Sequence, residues 1–236
     1  MNVTAYVCLR ADVIGSRGTR KAALLPEIAQ ALNARMQTDN LIPFTPRAGD
    51  ELFAVFGSIQ SGYQAFRWLH RQAHAHQLGF YVGFGVGGIE DAISADSERI
   101  NGPAIWRASD ALDELKREPL SEVLKIISKR DFRYNLHGSE DSAVNLALET
   151  YLYFVMQKVE SRTVQQGLAI QLFEEHPDWT NAQLYWQVSG TDEKRVPVAN
   201  ATANFSKLLA RADYRFVCEA VEKLTILLQS FIDLEP

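Results

Sequence analysis

One stretch constrains this chain more than any other: Arg47 to Phe56 reads RAGDELFAVF, with Gly49, Asp50 and Glu51 in a turn and Leu52 to Phe56 as a returning strand. Two adjacent carboxylates repel unless a cation or a basic side chain lies between them. A bound Mg²⁺ removes that cost. Gly-Asp is also ordinary turn chemistry, with Glu51 then facing water, so the hairpin alone leaves both readings open.

The chain has 236 residues and is 47% hydrophobic, enough to bury a core and to form two small domains. A net charge of −5 at pH 7 argues against a sequence-blind nucleic-acid coat, which needs a dense Lys/Arg surface. Any DNA contact is therefore local. Cys8 and Cys218 are too sparse for a disulfide framework. Met1 to Thr4 lacks the basic start of a signal peptide, and Leu224 to Leu228 is far too short to span a bilayer. The expectation is a soluble, cytoplasmic protein with no membrane contact.

Taken in order, Ala5 to Leu9 alternates as a strand, with Asp12 at its carboxyl end. Val13 to Gly18 then forms a turn leading into a helical pattern at Leu24, Leu25, Ile28, Ala31 and Leu32. A loop feeding a helix start offers N–H groups to an anion, and Ser16 and Arg17 add a hydroxyl and a fork of donors for phosphate. A plain turn with a solvated arginine fits this segment equally well. Leu41 to Arg47 reads as a strand held at a sheet edge by Pro43 and Pro46. Ser58 to Gln77 reads as an amphipathic helix with Tyr63, Phe66, Leu69 and Ala73 inward. Its His70, His74 and His76 lack an acidic third ligand and read as a wet helical face. In Phe80 to Val86 one face is apolar while the other shows Tyr81, Gly83, Gly85 and Gly87, a bare face open to close approach. Asn101-Gly102-Pro103 starts a further helix carrying Arg107, which could reach a phosphate or form a surface salt bridge.

This order is that of a small antiparallel-centred α/β domain with helices on one face, and it is expected to place Asp12, Asp50 and Glu51 together on the open face. These residues resemble the metal-binding palm of the GGDEF and class III nucleotide cyclase group. In Ala48-Gly49-Asp50-Glu51-Leu52-Phe53 the first glycine of that pattern is alanine, and a leucine precedes the phenylalanine. The ordered set of Asp12, Gly15, Ser16 and Arg17, then Gly49 to Glu51, Gly83 to Gly88, and Gly102, Pro103, Ala104, Trp106 and Arg107 is similar to the SatD family over the first half of the chain. The resemblance implies an α+β fold: a ferredoxin-like palm (residues 1–125), a linker (126–142) and an all-α, winged-helix or helix-turn-helix-like domain (143–236). It further implies nucleotidyl transfer on a nucleoside triphosphate with Mg²⁺ or Mn²⁺. Asp12, Asp50 and Glu51 would be the catalytic metal ligands, while Gly15, Ser16, Arg17 and Arg107 would hold phosphates.

From Ala143 onward the pattern is helical. A short helix ending at Gly190 is followed by Ala199 to Ala212, which bears Asn200, Asn204, Ser206, Lys207 and Arg211 in the manner of a DNA-reading helix. From Ser161 to the end acidic residues outnumber basic ones, so a protein-contact module remains open beside DNA binding. The leading expectation is a metal-dependent nucleotidyl cyclase or oligonucleotide-synthase-like signalling protein, working as a homodimer. Two others stand beside it: a transcriptional regulator whose palm only senses a nucleotide, and a GTP-hydrolysing enzyme using the same site.

Overall fold

The alternation at the start of the chain becomes the middle of the sheet. In the computed structural model, which describes residues 4–16, 21–36, 40–90, 100–117 and 119–234, β1 (Tyr6–Val13) lies between β3 (Glu51–Phe56) and β4 (Phe80–Gly87), antiparallel to both. β2 (Asn40–Arg47) pairs antiparallel with β3, and β5 (Phe132–His137) pairs parallel with β4, giving the order β2-β3-β1-β4-β5. With α1 (Leu25–Arg35) after β1 and α2 (Ile59–Ala75) after β3, the first four strands follow the ferredoxin-like βαββαβ order. The fold is α+β, as the patterning predicts.

Proline cannot donate to a ladder, and β2, with Pro43 and Pro46, takes the sheet edge. Asn33 of α1 secures it, donating Nδ2 to the Phe44 carbonyl at 2.9 Å and accepting the Phe44 N–H at 2.8 Å. Ser58 caps α2 by accepting the Ser61 N–H. Tyr63, Phe66, Leu69 and Ala73 are buried on one side of that helix, and the Phe66 ring meets Phe84 edge-on at 5.9 Å. His70 packs against Phe132 at 4.8 Å, and burial lowers its pKa to about 4, so it stays neutral.

The glycine side of β4 departs from expectation. Instead of lying open, it is covered by α3 (Pro103–Glu114). A Cβ at Gly83 would fall 2.0 Å from the Ala108 carbonyl oxygen, and one at Gly85 would fall 2.2 Å from both the Ala104 oxygen and the Ala108 nitrogen. What approaches the bare face closely is this chain's own helix. Ala104 and Ala108 share an apolar cluster with Cys8, Ile42, Phe53 and Val55. Helices therefore cover both faces of the sheet, not one.

The segment 126–142, expected as a linker, also differs. It holds the end of α4 (Glu122–Ile127) and the whole of β5. A parallel pair needs a crossover connection, which α3 and α4 provide between β4 and β5. By its contacts the chain divides into Met1–Leu152 with Leu224–Pro236, and Tyr153–Lys223. These divisions fall inside α5 (Ser142–Glu160) and α9 (Tyr214–Leu234) rather than at residue 143.

The second unit contains α6 (Val164–Glu175), α7 (Asn181–Ser189) and α8 (Val198–Arg211), packed around Ala169, Leu184 and Phe205. Thr163 and Thr180 open α6 and α7 with capping boxes to Gln166 and Gln183, and Gly190 at φ 64° closes α7. Residues 153–223 hold no strand, so the hairpin wing of a winged helix is not part of this unit. No helix among the described residues is long and apolar enough to cross a membrane.

The contact of α3 with β4 makes a direct prediction. Gly85→Ala should destabilise the protein by about 3 kcal/mol, because the added methyl meets main chain that no rotamer change can move aside. Urea denaturation checks this, and a loss below about 1 kcal/mol would contradict the contact.

Candidate functional site

Strand register brings the acidic residues of the hairpin to the end of β1. Asp12 is directly opposite Glu51, and the Val13 N–H donates to the Asp50 carbonyl at 3.0 Å. The turn that presents Asp50 has Ala48 at φ 50° and Gly49 at φ 87°. Left-handed backbone of this kind is free for glycine and costs an alanine roughly 1 kcal/mol. Ala48 therefore keeps the conformation that a glycine would adopt there.

Each carboxylate has its own partner. Glu51, only 9% exposed, takes a fork from Arg10, with Nε to Oε1 at 2.9 Å and Nη2 to Oε2 at 2.6 Å. Arg10 also donates Nη1 to Ser109 Oγ of α3 at 2.6 Å. The hydrogen bond to Glu51 raises the Arg10 pKa and keeps the guanidinium charged. Asp12 is paired with the Lys116 ammonium, just past the end of α3. Asp50 accepts from Ser16 Oγ at 2.6 Å. Gly15 adopts φ 67° immediately before that serine. The sequence pattern anticipates the acidic corner but not its cations. Arg10 could have been found from its place two residues before Asp12 on the same strand face, whereas no sequence signal marks Lys116.

Arg17 lies outside the described residues. Arg107 lies away from the acidic corner: its Nη1 donates to the Val86 carbonyl at 2.9 Å, and Val86 pairs with Val7, five positions along β1 from Asp12. At strand rise that is roughly 17 Å. The side chain is buried and forms a salt bridge with Glu140 at 3.0 Å, so of its two expected roles it takes the ion pair, from a buried rather than a surface position, and it is no neighbour of the acidic corner.

In the second unit, Ala201 and Phe205 turn α8 inward, while Asn200, Lys207 and Arg211 are exposed and Asn204 is half-buried. These four positions recur at intervals of four, three and four residues and form one stripe on the helix. Ser206 lies off the stripe and bonds back to the Thr202 carbonyl at 3.0 Å. The connection from Gly190 to Pro197, pinned by Trp186 Nε1 to the Val196 carbonyl at 3.0 Å, is longer than the roughly three- to four-residue turn of a simple helix-turn-helix.

Comparison of the chain with protein-family models and with curated proteins finds no match. The fold and the placement of these side chains therefore carry the functional reading. The Arg10–Glu51 fork also sets an energetic expectation. Arg10→Met should destabilise by roughly 3 kcal/mol by leaving a buried carboxylate uncompensated, and adding Glu51→Leu should restore most of the loss. A double-mutant cycle by denaturant unfolding measures both.

Proposed function

We propose that the first unit is a nucleotide-binding palm that uses a divalent metal, Mg²⁺ or Mn²⁺, to act on a nucleoside triphosphate. The observation that supports this reading is the pairing of Asp12 opposite Glu51, with the Asp50 carbonyl tied to the Val13 N–H, which puts three acidic residues at one end of β1 and β3. The donor set is all oxygen, which suits a hard cation. Asp12 and Asp50 fit the role of ligands best, because their partners are a partly exposed lysine and a hydroxyl. Glu51 is committed to Arg10 and serves to lock β1 to β3. The metal, when bound, supplies charge stabilisation to the entering and leaving oxygens. Lys116, released from Asp12, is then a free point charge for a phosphate. In the reaction, a 3′-hydroxyl would give its proton to water as its oxygen bonds to the α-phosphorus, the bond from that phosphorus to the α–β bridging oxygen would break, and pyrophosphate would leave. Joining two nucleotides requires two facing sites, hence a homodimer.

The similarity to SatD-like proteins and to the cyclase palm supports the same reading. A second reading, in which the palm only senses the nucleotide and α8 contacts DNA, is favoured by the stripe of Asn200, Asn204, Lys207 and Arg211. Incubation with each NTP and Mg²⁺ or Mn²⁺, resolved by mass, separates them. Linked or cyclic nucleotides are the expected products, hydrolysed GTP marks a hydrolase, and intact NTP marks a sensor.

Two measurements test the parts. Asp50→Ala should weaken metal-dependent NTP binding roughly tenfold or more by calorimetry, and unchanged affinity would remove the palm assignment. In gel-shift titrations with genomic fragments, Lys207→Ala with Arg211→Ala should make the log–log salt slope shallower by roughly 2. An unchanged slope would take α8 out of any DNA contact.

A further inference from the structure

A cavity of about 540 Å³ in the first unit, apart from the acidic corner, is lined by Trp106, Asp110 and Glu114 of α3, His137 of β5, and Leu146 and Glu149 of α5, among others. Its chemistry is not accounted for by the packing around it. Glu149 is only 4% exposed, yet only one of its oxygens is paired, Oε1 accepting from Ser121 Oγ at 2.6 Å. The other oxygen has no hydrogen-bond partner among the described residues. Because Glu149 lines the cavity, a carboxylate oxygen left this way is free to accept from a donor that enters it.

The nearby groups do not meet that need. Glu114 Oε2 is bonded by His137 Nε2 at 3.0 Å and Asn135 Nδ2 at 2.9 Å. The two arginines of the lining are already engaged, Arg107 by the Val86 carbonyl and by Glu140, itself a lining carboxylate, and Arg117 by Asp113 at 2.8 Å. Four carboxylates against two arginines give the lining an acidic excess. At its rim, Trp106 and Leu146 remain 46% and 52% exposed. Acceptors inside and exposed apolar surface at the mouth fit a ligand with a positive N–H head and an apolar body.

We propose that the cavity between α3, β5 and α5 binds a small organic cation, an amine or guanidinium on an apolar body, with Glu149 as the acceptor of its charged head. This goes beyond the palm reading and does not depend on it. Burial raises the Glu149 pKa, and the neighbouring charge of Glu114 raises it further, while the Ser121 bond and His137 lower it. Asp110 and the Arg107 guanidinium also line the space. A cation favours the ionised carboxylate, so binding shifts the Glu149 equilibrium towards its charged form. Affinity must then rise with pH through the titration of Glu149 and level off above it.

The test uses the full chain with benzylamine as probe and benzyl alcohol as its uncharged counterpart, followed by calorimetry. Benzylamine should bind about tenfold tighter than the alcohol, and Glu149→Gln should remove about tenfold of that affinity. The glutamine oxygen can still accept from Ser121, so the melting temperature should stay near that of the parent. Trp106→Ala, at an exposed position, should weaken benzylamine severalfold by removing the aromatic rim. Equal binding of amine and alcohol, equal affinity in Glu149→Gln, or Mg²⁺ taking the site in place of the amine would each overturn the proposal.

Discussion

The approach of α3 to β4, main chain on main chain, is the constraint on which the rest of the first unit depends. Gly83 and Gly85 leave no side chain between strand and helix, and Ala104 and Ala108 keep the facing side of the helix small. Three polar contacts rely on that closeness. Ser109 meets Arg10, Lys116 meets Asp12, and Arg107 meets the Val86 carbonyl. A helix lifted by one methyl group would weaken all of these together, because packed interiors have no slack to absorb the shift.

The three carboxylates at the end of β1 are held with different firmness. Glu51 is gripped at both oxygens by a planar guanidinium that α3 also anchors. Asp12 meets a flexible ammonium, and Asp50 a neutral hydroxyl. Charge-assisted bidentate contacts are the strongest of these and single exposed ion pairs the weakest. The gradient runs from a structural carboxylate to two exchangeable ones, within one register of the sheet.

Much of this was legible from residue order. Alternation gave the strands, the prolines gave the edge at β2, and the Asp12 and Gly49-Asp50-Glu51 segments lay where the register puts them. The second cover of the sheet was not legible, because a bare glycine face reads the same whether a ligand or a helix fills it. β5 did carry a signal, with Phe132, Tyr134 and Leu136 alternating with Arg133, Asn135 and His137. It was lost among irregular flanks, since parallel pairing across a long crossover leaves no local mark. Arg107 was misplaced for a related reason: helical periodicity assigns a face but cannot say that the partner of that face is a strand carbonyl. The unit boundary inside α5 is invisible to pattern reading, as one continuous helix serves both sides of it.

The central position of β1 has a consequence for how the polypeptide emerges during synthesis. Both of its neighbours, β3 and β4, come later in the chain, so β1 gains its first hydrogen-bonding partner only once Phe56 has been added and its second only with Gly87. Before β3 follows, β1 has two open edges, and before β4 follows it has one, the kind of surface that recruits other chains. The strand at the centre of the sheet is thus the one whose edges wait for chain that lies 38 to 74 residues beyond Val13, so the middle of the sheet closes only when that chain has been made.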